Sequence, residues 1–111
     1  MMVTLFWNRF RGDMDAATRA EYEANAKRMN EIVEQMPGYV SIKRYTDDDG
    51  ERLSVIVFES EEAQQAWRHH PEHAKVQARG RECYYEWYRL MACMPQRDYQ
   101  WQRDVVSAAA E

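Results

Sequence analysis

Three histidines, His69, His70 and His73, follow closely on Trp67 in this sequence. His69 and His73 are four positions apart, the spacing at which two ligands on one helical face can share a metal ion. Pro71 lies between them and breaks the regular turn, and no nearby cysteine completes a set, so the cluster reads as a helix junction and no metal site is expected. An imidazole titrates near neutrality, which makes His73 the candidate general base; capping a short helix is its alternative role. Asn8 interrupts an apolar run, and a buried amide without a partner is costly, so it either faces a cavity or caps local backbone. Arg81 offers a fixed positive charge, useful to a developing anion in a dry site, or else a surface pair with Glu82 or Glu86 that would contribute little. Trp67 and Tyr39 present flat faces for stacking a ring, although helical spacing equally suits Trp67 to a core.

The elements that must carry these groups are legible in the pattern. Val3 to Phe10 is rich in β-formers and stops at Arg11-Gly12-Asp13. From Asp15 to Met36, the residues Tyr22, Ala26, Met29, Val33 and Met36 recur at helical steps, and Pro37-Gly38 ends that helix. Tyr39 to Thr46 and Arg52 to Phe58 read as strands joined across Asp47-Asp48-Asp49-Gly50, a hairpin turn that lacks the alternating ligands of a calcium loop. Ser60 caps a second helix with Glu61 and Glu62 in its first turn, and Ala63, Ala66, Trp67 and His70 share one face. Pro71 ends or kinks it, His73 to Arg81 forms a short further helix stopping near Gly80, and Cys83 to Met94 is the last strand. In that strand, Tyr85, Trp87, Arg89 and Met91 are expected on one face and Tyr84, Glu86, Tyr88 and Leu90 on the other.

The order β-α-β-β-α-β is the split arrangement of an α+β, ferredoxin-like sheet with its helices on one face. Neither face of the last strand is simply polar, so the bare side of the sheet is expected to pair with a second copy as a homodimer. Residues 1–94 form the domain, and residues 95–111 a C-terminal arm, ordered around Trp101 against the partner and frayed beyond it in Ser-Ala-Ala-Ala-Glu.

Bulk properties narrow the function. A chain of 111 residues is one domain with room for one small pocket, and its four Trp, seven Tyr and three Phe are a heavy aromatic load, part of it expected in a cavity or interface. The net charge is −4 and the 15 basic residues are scattered, so nucleic acid is not an expected partner. Asn8 and Arg9 cut the opening apolar run short of a signal or membrane segment, so no membrane is expected and the cytoplasm is the expected compartment. Cys83 and Cys93, read as lying in one strand, are too far apart to bridge at about 3.3 Å per residue.

Met36-Pro37-Gly38-Tyr39, then Phe58-Glu59-Ser60-Glu61-Glu62-Ala63, then Trp67-Arg68-His69-His70-Pro71-Glu72-His73 with Gly80-Arg81 and a Tyr-rich last strand, together resemble the antibiotic biosynthesis monooxygenase superfamily over residues 3–94. The resemblance implies a dimeric α/β barrel with one pocket per subunit. It also implies a monooxygenase that oxidises an aromatic or quinol-like small molecule with molecular oxygen and no cofactor. Asn8, Trp67, His73 and Arg81 would be its catalytic residues, and Tyr39, Phe6, Phe58 and His70 its substrate contacts. A haem-degrading branch is similar in Asn8 and Trp67; its proximal histidine corresponds to Gln77 here, so haem would need His73 or His70 as ligand. A non-catalytic dimer that binds a small molecule is the further alternative.

Overall fold

The computed structural model describes residues 1–103. Its elements are β1 (Met2–Phe10), α1 (Ala16–Val33), β2 (Tyr39–Thr46), β3 (Arg52–Phe58), α2 (Glu61–Arg68), α3 (Pro71–Arg79), a π-turn (Gly80–Tyr84) and β4 (Tyr85–Cys93). The strands form one antiparallel sheet in the order β2-β3-β1-β4, the ferredoxin-like topology expected from the sequence. The second helix ends at the His69-His70 junction and a short further helix follows, as expected around Pro71.

Side-chain caps fix the helix starts. The Asp15 carboxylate accepts the Thr18 N–H at 2.7 Å, and Ser60 Oγ accepts the Ala63 N–H at 3.1 Å. α3 begins at Pro71, two residues before the expected His73, because proline fits the first helical position and His70 Nδ1 accepts the Glu72 N–H at 3.2 Å. α1 ends at Val33, three residues before the expected Met36, and turns out through Pro37-Gly38.

The end of α3 also departs from expectation. Helical backbone continues past Gly80 as a π-turn to Tyr84, so β4 starts at Tyr85 and Cys83 lies outside it. A Cβ on Gly80 would stand 2.6 Å from the Tyr85 ring, so only glycine lets the turn pack so closely. Pairing between β1 and β4 shifts register at Arg9/Phe10, which sets Tyr85 opposite Phe10. Tyr85 therefore joins Tyr88 and Leu90 on the helix side, a reversal of its expected face, while Tyr84 is fully buried with its hydroxyl 2.7 Å from Glu21 Oε2.

The register assigns the faces. Thr4, Phe6 and Asn8 of β1 stand beside Ile56, Ser54 and Arg52 of β3 under the helices. On the opposite face lie Val3, Leu5 and Trp7 with Val57, Val55 and Leu53, with Met91 and Arg89 alongside. The core clusters Val33, Phe58, Ala63 and Trp67, with Met29, Ile32, Met36, Tyr39 and Ile56 packed against it. β4 closes at Cys93, and residues 95–103 carry no regular structure, with Tyr99 and Trp101 about three-quarters exposed at 75 % and 73 %. The expected fraying of the Ser-Ala-Ala-Ala-Glu end lies outside the described residues. No helix among the described residues is long and apolar enough to cross a membrane.

The turn into β2 depends on Gly38, which has φ +84° and whose Cβ, if present, would lie 2.5 Å from the Ala63 Cβ of α2. Gly38→Ala combines a left-handed backbone with a collision and should destabilise the protein by about 1–3 kcal/mol. A urea melt checks this, and an unchanged midpoint would show that the turn relaxes freely.

Candidate functional site

The sheet and helices enclose a cavity of about 140 Å³ that opens on one side. β1 supplies Phe6, and α1 supplies Tyr22, Ala26, Met29, Asn30 and Val33 from the face its helical spacing sets toward the sheet. Ile42 and Arg44 come from β2, Ser54 and Ile56 from β3, and Tyr85, Tyr88 and Leu90 from β4. Trp67 of α2 and His73, Val76 and Gln77 of α3 complete the wall. No aspartate or glutamate is among these residues. An apolar void near ~150 Å³ holds about one benzene ring, so a larger ligand would project through the open side.

Trp67 and His73 form a stacked pair in this wall. Their rings stack with centroids 4.2 Å apart and planes at 14°. His73 Nδ1 lies 3.1 Å from the Trp67 carbonyl oxygen. A carbonyl can only accept, so Nδ1 carries the proton and, in the neutral ring, Nε2 holds the lone pair. Burial holds the His73 pKa below its usual value, the bond to the Trp67 carbonyl opposes the shift, and His70 adds to it. The junction thus produces a neutral imidazole with its proton fixed on one nitrogen and its basic nitrogen free. Trp67 fills both roles foreseen for it, since it belongs to the core cluster and to the cavity wall.

Of the residues singled out from the sequence, Phe6, Trp67 and His73 line the cavity together. The others stand elsewhere, each for a local reason. Tyr39 packs edge-on against Phe58 at 6.5 Å in the core beyond the cavity. His70 is committed to capping α3 and His69 to the end of α2, and no three His, Cys, Asp or Glu side chains gather as a metal site among the described residues. Arg81, on the π-turn, reaches the cavity only through Tyr88, whose hydroxyl accepts from its Nη1 at 3.1 Å. Asn8 is 2 % exposed beneath the lining, between Tyr88 and Arg52, and its Oδ1 has no partner among the described residues.

The reading from sequence missed Asn30, Arg44, Tyr22, Tyr85 and Tyr88 as wall residues. Alternation along the hairpin was the available signal, because Ile42 and Arg44 pair with Ile56 and Ser54 on the helix side. Tyr85 was hidden by the π-turn and the register shift. Burial pushes its phenol far above the usual range, with the neighbouring Tyr22 adding to the shift, so it is a neutral hydrogen-bond donor.

For the haem alternative this wall offers a single histidine. Gln77 stands in the lining where the haem-degrading branch has its histidine, and His73, the one lining histidine, is held flat against Trp67.

The described family model for antibiotic biosynthesis monooxygenase matches residues 8–79. The uncharacterised protein YqjZ of Bacillus subtilis is 32 % identical over 69 residues, 62 % of this chain and 60 % of YqjZ, so the match spans less than two thirds of that relative. Among solved structures, Rv0793 of Mycobacterium tuberculosis superposes with TM-score 0.71 at 20 % identity, covering 89 % of this chain and 98 % of that one. SnoaB of Streptomyces nogalater, a cofactor-independent oxygenase, superposes with TM-score 0.69 at 13 % identity, covering 87 % and 94 %. At these identities the structural matches establish the shared fold.

The buried imidazole makes a stability prediction. A histidine with a depressed folded-state pKa contributes stability that is fully present above the unfolded value of 6.5 and is lost as pH falls through the folded value. Wild type should therefore lose more stability than His73→Gln between pH 7.5 and pH 5 in urea melts. Parallel pH profiles would mean that His73 titrates as if in water.

Proposed function

The chain belongs to the antibiotic biosynthesis monooxygenase family, and on that premise we propose that it oxidises an aromatic, phenol- or quinol-like small molecule with molecular oxygen and no cofactor. The observation that carries this reading is the stacked, tautomer-fixed His73 in a largely apolar wall without carboxylates. A substrate ring lies between Trp67 and the tyrosines, and the substrate hydroxyl gives its proton to His73 Nε2. The electron-rich anion passes one electron to oxygen, the resulting pair joins as a ring peroxide anion, and that anion takes back the proton from His73 to become a hydroperoxide. Loss of water with the remaining hydrogen of that carbon leaves a quinone, so one oxygen atom enters the product and the other leaves as water. Tyr88, whose oxygen accepts from Arg81, donates to the substrate oxygen as charge develops there. Asn8 supports the floor of the site from beneath Tyr88.

The partner in this reading is a second copy of the chain. The face bearing Val3, Leu5, Trp7, Leu53, Val55 and Val57 is an apolar sheet surface, and an isologous contact buries it on both copies. Residues 1–94 act as the domain and residues 95–111 as an arm whose exposed Tyr99 and Trp101 pack on that copy. The cytoplasm, where oxygen and small aromatic metabolites meet, is the proposed compartment.

Oxygen uptake with anthrone and 1,4-dihydroxynaphthalene tests the activity. Wild type should exceed the spontaneous rate without added metal or flavin and be indifferent to chelator, and His73→Gln should lower kcat by about 10²-fold, the usual worth of a positioned base. Uptake no faster than the spontaneous rate across the panel, from protein that still binds the rings, would make it a silent binder. For the partner, sedimentation should give a dimer at micromolar concentration and a monomer for Val55→Asp, whereas a wild-type monomer would refute the pairing.

A further inference from the structure

The arginines of this protein differ in their partners. Arg9, Arg11, Arg19, Arg28 and Arg79 each pair with a carboxylate. Arg44, Arg52 and Arg81 make no such pair among the described residues, and their side-chain partners are neutral: Asn30, Tyr22 and Tyr88. All three neutral partners line the cavity, as does Arg44 itself. Within a chain of net charge −4, the cavity is therefore backed by three guanidinium groups and, among the described residues, lined by no carboxylate. Arg68, Arg89, Arg97 and Arg103 also lack a carboxylate partner among the described residues but stand outside the lining, so what marks Arg44 is its place in a wall without carboxylates together with its neutral partner.

The three do not play the same part. Arg52 and Arg81 donate to phenol oxygens at 2.9 and 3.1 Å, so each reaches the cavity through a tyrosine, and Arg52 also lies over the Phe10 ring with its Cζ 4.2 Å from the centroid. Arg44 stands in the wall, facing the helices beside Ser54, and its one side-chain bond goes to the Asn30 amide oxygen. That bond uses one guanidinium nitrogen and orients the group, leaving the other donors for a ligand. Arg44 is exposed, which places it at the mouth of the cavity rather than in its depth.

We infer that the molecule taken by this cavity is a ring compound bearing an acid group ionised before it binds, and that Arg44, oriented by Asn30, holds that carboxylate at the mouth while the ring lies inward toward Trp67. This rests on the aromatic reading of the cavity and adds the charge class of its ligand and the residue that selects it. The acid group is distinct from the hydroxyl that loses its proton to His73. Arg44 thus acts as a specificity-determining residue, favouring anionic rings over neutral rings of equal size. The long-range field of Arg52 and Arg81 acts in the same direction.

Calorimetric titration of 1-naphthoate and of neutral 1-naphthalenemethanol into the full chain tests this. Wild type should prefer 1-naphthoate by about five- to tenfold at low salt, the range for a charge-assisted contact that remains partly hydrated, and the preference should shrink as salt is raised. Arg44→Met should remove the preference by weakening 1-naphthoate, and Arg44→Lys should keep part of it. Lys43→Met makes the same charge change on the opposite sheet face and should retain the full preference. Equal wild-type affinity for both probes, or a preference that survives Arg44→Met, would overturn the inference and leave the aromatic site standing. Binding of neither probe would overturn the aromatic reading itself and this inference with it.

Discussion

The bond from His73 Nδ1 to the Trp67 carbonyl, with the two rings stacked above it, is the constraint on which the site depends. It fastens α3 to the end of α2 across the Pro71 junction. It also decides the chemistry of the imidazole, because a proton fixed on Nδ1 leaves Nε2 as the basic nitrogen. Burial favours the neutral form, so the ring is able to accept a proton near neutrality. Trp67 is held from below by Val33, Phe58 and Ala63, which makes the geometry of the base a consequence of core packing.

Around this pair the wall is divided by polarity. Apolar side chains from α1, β2 and β3 meet the Trp67 end, whereas tyrosines from α1 and β4 bring hydroxyl groups whose oxygens accept from arginines behind them. A phenol whose oxygen already accepts a charged hydrogen bond is a better donor from its own hydrogen. The buried Asn8 Oδ1 and Arg52 Nη1, on adjacent strands and without partners among the described residues, are costly features that lie behind the tyrosine end. Unpaired polar groups placed there sacrifice stability at a site of proposed function, a pattern expected where function rather than folding set the choice of residue.

Much of the fold was legible because local rules agree with one another. The Asp-Gly hairpin placed β2 and β3 at their observed ends, and Ser60 placed the start of α2. The failures cluster after Pro71. Proline there is a helix starter with His70 as its cap, and the π-turn that follows has no periodic signature because its residues follow neither a strand nor an α-helical repeat. The consequence reached the site: Tyr85 was expected away from Tyr88 and instead shares the cavity with it. His73 and Trp67 were visible as residue types at helical spacing, but their stacking depends on the angle between two short helices. Arg44 was invisible as a site residue since its role follows from the wall it joins and from its bond to Asn30 of α1, which only the folded chain brings together.

The claim that a single fixed tautomer of His73 serves as the base is the most direct to examine. A long-range nitrogen–proton correlation spectrum of uniformly ¹⁵N-labelled protein at pH 7 distinguishes the two ring nitrogens, and His73→Gln assigns the signal. The account predicts a neutral ring with a protonated Nδ1 and a lone-pair nitrogen at Nε2. A charged ring, or a neutral one protonated on Nε2, would contradict it, because the basic nitrogen would then be absent or turned toward the Trp67 carbonyl.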